Sequence, residues 1–194
     1  MSKLYKMTNE ELWQLFPIIL KEHSCEYDEW YSIEEKKLKE VLGKDLHRIN
    51  HIGSSAVKGL ISKPTVDILI EVEEDVDIKD ITKKILDAGW LKMNSQTEPY
   101  FSIYFNKGYT EEGFAEKVYH LHLRYLGDWD EIYFRDYLIN HLEVAREYEN
   151  LKKELLKKYE HDRDGYTYGK TDFIKKWTEI AKEEVKKNES SKNK

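Results

Sequence analysis

The residues with the most chemistry in this chain lie between His51 and Ile70. They read His51-Ile52-Gly53-Ser54-Ser55-Ala56-Val57-Lys58-Gly59-Leu60-Ile61-Ser62-Lys63-Pro64-Thr65-Val66-Asp67-Ile68-Leu69-Ile70. Gly53 lets backbone approach a ligand closely. Ser54 and Ser55 offer hydroxyls, and free N–H groups at the start of a following short helix favour a phosphate. Asp67 interrupts an apolar strand, which is costly unless the acid is paired, hydrogen-bonded or faces a cleft. A second segment, Tyr119-His120-Leu121-His122-Leu123-Arg124, alternates polar and apolar residues. Period two places His120, His122 and Arg124 on one strand face. If that strand lies beside Asp67, one carboxylate and two imidazoles converge. Such a set suits Zn²⁺, Mn²⁺, Fe²⁺ or Ni²⁺ better than Mg²⁺. Equally, His120 or His122 would serve as a general base, and Arg124 would clamp a phosphate or carboxylate. Lys58, Lys63 and Arg48 are the nearest cations to the Gly-Ser loop; each taken singly also reads as a surface residue.

These groups must be held by elements legible in the pattern. Thr8 and Glu11 make a capping box before Leu12, Leu15 and Phe16, with Pro17 disturbing the helix they start. A second helix is expected from Asp28 or Ser32 to Gly43. Residues 46–52 read as a strand, 53–55 as a loop and 56–61 as a short helix. A strand over 65–72 and a helix from Ile78 to Gly89 follow. Strands are expected over 90–93, 100–105 and 117–125, with Asn106-Lys107-Gly108 as a turn. The remainder is helical, with Asp128 as one cap. Ala145, Tyr148, Leu151, Leu155 and Tyr159 form one stripe; Phe173, Ile174, Trp177, Ile180, Ala181 and Val185 form another. The Tyr and Trp stripes are expected to be core, and the charge run over 152–163 a solvated helix face. The class is α+β, a mixed sheet with helical segments at both ends.

The segment from His51 to Ile70 resembles the signature of the polymerase-β-like nucleotidyltransferase superfamily, an apolar-Gly-Ser turn followed by an acid on a strand. In its wording it is most similar to the GrpB-like family of that superfamily. The likeness continues at Tyr27-Asp28-Glu29-Trp30, Tyr119-His120-Leu121-His122-Leu123, Phe134-Arg135-Asp136-Tyr137-Leu138, Ala145-Arg146-Glu147-Tyr148 and Tyr168-Gly169-Lys170-Thr171-Asp172-Phe173-Ile174. It spans residues 26–180 and implies a nucleotidyltransferase-like sheet. The superfamily's enzymes hold two divalent ions on acids at i and i+2 of one strand, about 6.6 Å apart. Asp67 matches the first acid, but Leu69 stands at the second. Glu71 shares the face yet lies about 13 Å away. Gly169-Lys170-Thr171 is no phosphate-binding P-loop, since Asp164 stands where that motif needs glycine and no strand precedes it. Lys170 stays a candidate through the family resemblance.

The chain has 194 residues, with 32 Lys+Arg against 38 Asp+Glu and a net charge of −6. That size makes one domain, expected over 1–187 with a polar tail over 188–194, and it needs no metal or disulfide staple. The single Cys25 allows no internal disulfide or CxxC site and is expected to be a buried or inert thiol. The acidic balance argues against nonspecific DNA binding. No apolar run approaches the ~20 residues of a membrane span, and the N-terminus lacks an apolar signal core, so a cytoplasmic protein is expected. The oligomeric state is not set by any of these features. Three readings stand. The first is a metal-dependent nucleotidyltransferase acting on a nucleotide or other phosphorylated small molecule, with Mg²⁺ or Mn²⁺ on Asp67. The second is a binding module that keeps the fold without the reaction. The third is a hydrolase holding a transition metal such as Zn²⁺ on Asp67, His120 and His122. In each, Gly53, Ser54, Ser55, Lys58, Lys63, Arg124 and Lys170 are the candidate ligand-binding residues.

Overall fold

A computed structural model describes residues 3–192. The elements are α1 (Asn9–Leu15), α2 (Glu26–Leu42), β1 (Arg48–Ile52), β2 (Val66–Val72), α3 (Ile78–Asp87), β3 (Leu91–Gln96), β4 (Ser102–Thr110), β5 (Gly113–Tyr125), α4 (Asp130–Asn140), α5 (Leu142–Tyr159), α6 (Arg163–Tyr168) and α7 (Thr171–Lys192). One five-stranded sheet runs β1-β2-β5-β4-β3. The β2–β5 pair is parallel and the others are antiparallel. The expected α+β class with a mixed sheet is what the chain adopts.

Alternation along the strands divides the sheet into two chemically different faces. Val66, Ile68, Ile70 and Val72 of β2 and Tyr119, Leu121 and Leu123 of β5 point one way. They pack with Ile103 and Phe105 against Tyr27, Trp30, Leu38 and Leu42 of α2 and Ile81 and Ile85 of α3. Each fully buried Leu or Ile there contributes roughly 1.5–3 kcal/mol of transfer free energy. The opposite face carries the polar residues. Because β2 and β5 run parallel, Asp67 is in register with His120, Leu69 with His122 and Glu71 with Arg124. A second cluster, Val57, Leu60, Phe134, Leu138, Val144, Ala145 and Tyr148, fastens α4 and α5 beside the Gly-Ser loop.

Local chemistry sets most element ends. The Thr8–Glu11 capping box forms as expected, and Asp77 caps α3 by accepting from the Lys79 and Asp80 N–H groups. Several expected boundaries are corrected. Helix α2 starts at Glu26, where Ser24 Oγ accepts from the Glu26 N–H. Residues 56–61 are no helix; a single 3₁₀ turn covers Ser54–Ala56. Gly108 is a bulge within β4, not the hairpin turn, because the strand pairs on to Thr110 before turning back at Gly113. The cap of α4 is Trp129 rather than Asp128, and α7 runs past Asn188 to Lys192.

Candidate functional site

Strand β1 delivers the chain into Gly53, whose φ is +74°. That conformation suits glycine, and the neighbour explains why nothing larger fits. A Cβ at Gly53 would lie 2.5 Å from Asp67 Oδ2. The close approach foreseen at this glycine is therefore to the chain's own carboxylate. The two hydroxyls after it are also engaged. Ser55, 1% exposed, bonds with His51 Nε2 at 3.1 Å, and Ser54 Oγ accepts from Lys152 Nζ at 3.3 Å.

Asp67 and His120 form the centre of the polar face. His120 Nδ1 lies 2.8 Å from Asp67 Oδ1. Burial alone would raise the Asp67 carboxyl, but the His120 hydrogen bond and the nearby Lys63 ammonium outweigh it and hold it well below the usual carboxylate range. Burial pushes His120 down to about 4, against the opposing pull of Asp67. At neutral pH the pair is a carboxylate beside a neutral imidazole that donates from Nδ1. Its Nε2 then accepts, from the Tyr109 hydroxyl at 2.8 Å and an Arg163 N–H at 3.3 Å. Arg163 also donates to the Tyr109 hydroxyl at 3.0 Å. A continuous chain runs Asp67–His120–Tyr109–Arg163. His122, next on the same face, meets the Tyr104 ring edge-on at 5.2 Å, and burial lowers its pKa. Its Nδ1 is buried without a hydrogen-bond partner among the described residues.

Above this face lies a cavity of about 930 Å³, a size suited to a small-molecule ligand. Gly53, Ser54, Ser55, Asp67, His120 and His122 line its floor. Four cations, Lys63, Lys152, Arg163 and Lys170, come from other segments, and Leu12, Trp13, Phe16, Met93 and Tyr104 add apolar and aromatic surface to the lining. Burial, with help from Arg163 and Lys170, lowers Lys63 to about 7. Burial and Lys170 lower Lys152 to about 7, and burial lowers Lys170 to about 8. Lys152 also donates to the Ile61 carbonyl. Lys170 lies 4.6 Å over the Tyr166 ring and Arg163 5.6 Å over that of Tyr109. None of the four has a carboxylate within ion-pair distance among the described residues.

The structure thus brings together Gly53, Ser54, Ser55, Lys63, Asp67, His120, His122 and Lys170. It separates two others from them. Lys58 is exposed and lies outside the cavity lining. Arg124 shares the strand face, but it is 2% exposed and gives its guanidinium to Glu131 of α4 at 2.8 and 2.5 Å, between the Tyr100 and Trp129 rings. It is a structural ion pair, not a ligand clamp. Arg48 and Glu71 pair with each other at 2.6 Å across β1 and β2, so Glu71 is no reserve metal acid. Cys25, expected to be buried or inert, is exposed.

The donor set does not fit the two-ion apparatus. Leu69 is fully buried at the second acid's position, and Asp67 spends Oδ1 on His120. Among the described residues no group of three or more His, Cys, Asp or Glu is arranged to hold a metal ion. The expected Asp67–His120–His122 ligand set is therefore not assembled: Asp67 and His120 bond to one another.

Lys152, Arg163, Tyr109 and Tyr166 escaped the sequence reading. Lys152 carried a usable signal. It follows Val144, Ala145 and Tyr148 at helical spacing, so it sits on the buried stripe of α5. Reading residues 152–163 as one solvated charge run concealed it. Arg163 opens a six-residue helix after the Asp162 cap and has no comparable periodicity.

Comparison with known proteins identifies the family and the fold. The model of the GrpB protein family matches residues 17–180. The chain is 34% identical over 161 residues to the glutamate-rich protein GrpB of Alkalihalophilus pseudofirmus, covering 81% of this chain and 91% of that protein. It is 30% identical over 157 residues to the UPF0157 protein YqkA of Bacillus subtilis, covering 79% of this chain and 44% of that longer protein. The crystal structure of the conserved protein GrpB from Enterococcus faecalis superposes with a TM-score of 0.75 at 26% identity, over 86% of this chain and 99% of that one. The chain belongs to the GrpB family. Among the described residues no helix is long and apolar enough to cross a membrane.

Proposed function

We propose that this GrpB-family chain binds a nucleotide or another phosphorylated small molecule in the cavity above Asp67 and His120. The observation that carries this is the set of four cations without carboxylate partners around one cavity. Burying a charge is expensive unless something pairs with it, so a cluster of this kind is matched to an anion brought by the ligand. The Ser54 hydroxyl and the backbone after Gly53 add hydrogen-bonding groups. The apolar wall of Leu12, Trp13 and Phe16 suits a base or other flat apolar moiety. The net charge of −6 with a recessed basic cavity suits a small anion rather than duplex DNA.

Thermal stabilisation tests the reading, because any ligand that prefers the folded state raises its stability by mass action. Nucleosides and nucleoside mono-, di- and triphosphates are compared on the native chain and on Lys170→Ala. Phosphorylated compounds are expected to raise the melting temperature, nucleosides not to, and Lys170→Ala to remove the effect. No stabilisation by any phosphorylated compound would overturn it.

The Asp67–His120 pair favours a second reading, in which the cavity also supports a transfer reaction. Asp67 orients the imidazole with Nε2 as the acceptor, and His120 would act as a general base once a substrate hydroxyl replaces the Tyr109 hydroxyl and Arg163 N–H that now donate to Nε2. Label from an α-phosphate-tagged nucleotide would then reach an acceptor and be lost in His120→Gln. Transfer that survives that substitution excludes the role.

A further inference from the structure

The positive charge in this cavity is supplied by protein, and the acid at its centre is partly committed to protein partners. Asp67 Oδ1 lies 2.8 Å from His120 Nδ1. On its other side the Gly53 backbone packs so closely that a Cβ there would fall 2.5 Å from Oδ2. Oδ1 is thereby occupied, and Oδ2 is approached by Gly53 on one side while the side chain stays 24% exposed to the cavity. Leu69 has no oxygen to offer, and Glu71 is committed to Arg48 and to the Gly127 N–H. A divalent ion carried by a polyphosphate would find one oxygen of Asp67 and the exposed Asp164 on the cavity lining, but no group of three or more acids, imidazoles or thiols arranged around it among the described residues.

The cations, by contrast, come from separate segments and are held by their neighbours. Lys152 reaches from α5 and is anchored on Ser54 Oγ and the Ile61 carbonyl. Arg163 opens α6 and is tied to the Tyr109 hydroxyl. Lys170 closes the α6–α7 junction over the Tyr166 ring. Lys63 sits in the segment entering β2, near enough to Arg163 and Lys170 to feel their charge. Side chains fixed in place before the ligand arrives lose little freedom when it binds, and the ligand's negative charge favours their protonated form. Charge-assisted bonds from Lys and Arg to phosphate oxygens are among the stronger ones available.

We propose that this site binds the di- or triphosphate group of its ligand without a divalent metal ion, with Lys63, Lys152, Arg163 and Lys170 supplying the neutralising charge. The inference rests on the phosphorylated-ligand reading above and goes beyond it in assigning to side chains the work that metal ions do elsewhere.

Titration calorimetry with inorganic tripolyphosphate, pyrophosphate and phosphate, in EDTA and again in excess MgCl₂, tests it on the full chain. Affinity is expected to rise from phosphate to tripolyphosphate in EDTA, and Mg²⁺ is expected to leave it unchanged or weaken it. Lys63→Ala and Lys170→Ala should each weaken tripolyphosphate binding about tenfold or more, as loss of a charge-assisted bond predicts. Lys170→Gln keeps a hydrogen-bond donor without the charge and should bind as weakly, so misfolding of the alanine variant does not decide the result. Lys58→Ala, outside the cavity, should bind as the native chain does. Binding that appears only with Mg²⁺ would overturn the metal-free proposal and leave the phosphorylated-ligand reading standing. No binding of any of the three anions under either condition would overturn both. Affinity unchanged in the lysine variants would also overturn the assignment.

Discussion

Gly53 and Asp67 are fitted to each other. The turn after β1 carries a glycine at φ +74°, and a Cβ at that position would lie 2.5 Å from Asp67 Oδ2. The carboxylate cannot swing aside freely, because its other oxygen is held by His120. The glycine of the loop and the acid of the strand, fourteen positions later in the chain, therefore constrain one another.

Gly53→Ala should lower stability by about 1–3 kcal/mol, the sum of a strained backbone and a displaced carboxylate. Gly59 separates the two causes: its φ is +79°, but a Cβ there would meet nothing within 4 Å. Gly59→Ala should cost only the backbone part, about 1 kcal/mol. Urea unfolding of both variants checks this, and equal losses would contradict the contact between Gly53 and Asp67.

Acid should destabilise the chain well above the carboxylate range. Burial lowers His51 to about 4 and His120 to about 4. Unfolded, both take up protons near their ordinary value of about 6.5. Between those values the unfolded state binds more protons, so stability falls as pH drops. Asp67, held low, adds to the loss in the same direction, but only at more acid pH, where the unfolded carboxyl takes up its proton. The loss should reach a few kcal/mol, at about 1.4 kcal/mol per pKa unit and group. Urea midpoints measured from neutral pH to about 4.5 should show the decline, with a shallower slope in His120→Asn.

The ligand-free chain should gain stability on the alkaline side. Lys63 and Lys152 are lowered to about 7 and Lys170 to about 8. Unfolded lysines hold their protons to about 10.4, so stability rises with pH from 7 until tyrosine ionisation begins near 10. A bound polyphosphate restores the protons. Binding should therefore take up protons near pH 8, read by calorimetry in buffers of different ionisation enthalpy. Binding without proton uptake would show that these lysines are charged before the ligand arrives.

Arg124→Met should separate structure from ligand binding. Arg124 is buried in a bidentate pair with Glu131, and removing one partner of such a pair leaves the other uncompensated. A loss of about 2–4 kcal/mol is expected, reduced because Glu131 keeps some solvent contact. Affinity for tripolyphosphate should not change. A weakened affinity in a folded variant would return Arg124 to the ligand site.

Much of the local structure was legible because its causes are local. Alternation placed His120, His122 and Arg124 on one face, and the pairing of β5 beside β2 brought that face to Asp67. A capping box located α1, apolar spacing ending at Gly89 located α3, and the GrpB resemblance named the family that the comparisons show. The ends of β4 and β5 were less legible, because the pattern at Asn106-Lys107-Gly108 suits a bulge as well as a turn.

The amino-acid sequence by itself determined the class of fold, the face on which each strand residue lies and the placing of a glycine turn and an acid on successive elements. Those follow from bond geometry and from short-range periodicity. Only the tertiary structure decided what each polar group meets. Arg124 left the cavity because α4 brings Glu131 to it, while Lys152 and Arg163 entered because α5 and α6 fold back over Gly53 and His120. The free energy of a charge depends on the groups within a few ångströms of it, and here those groups lie 7 to 98 residues away along the chain.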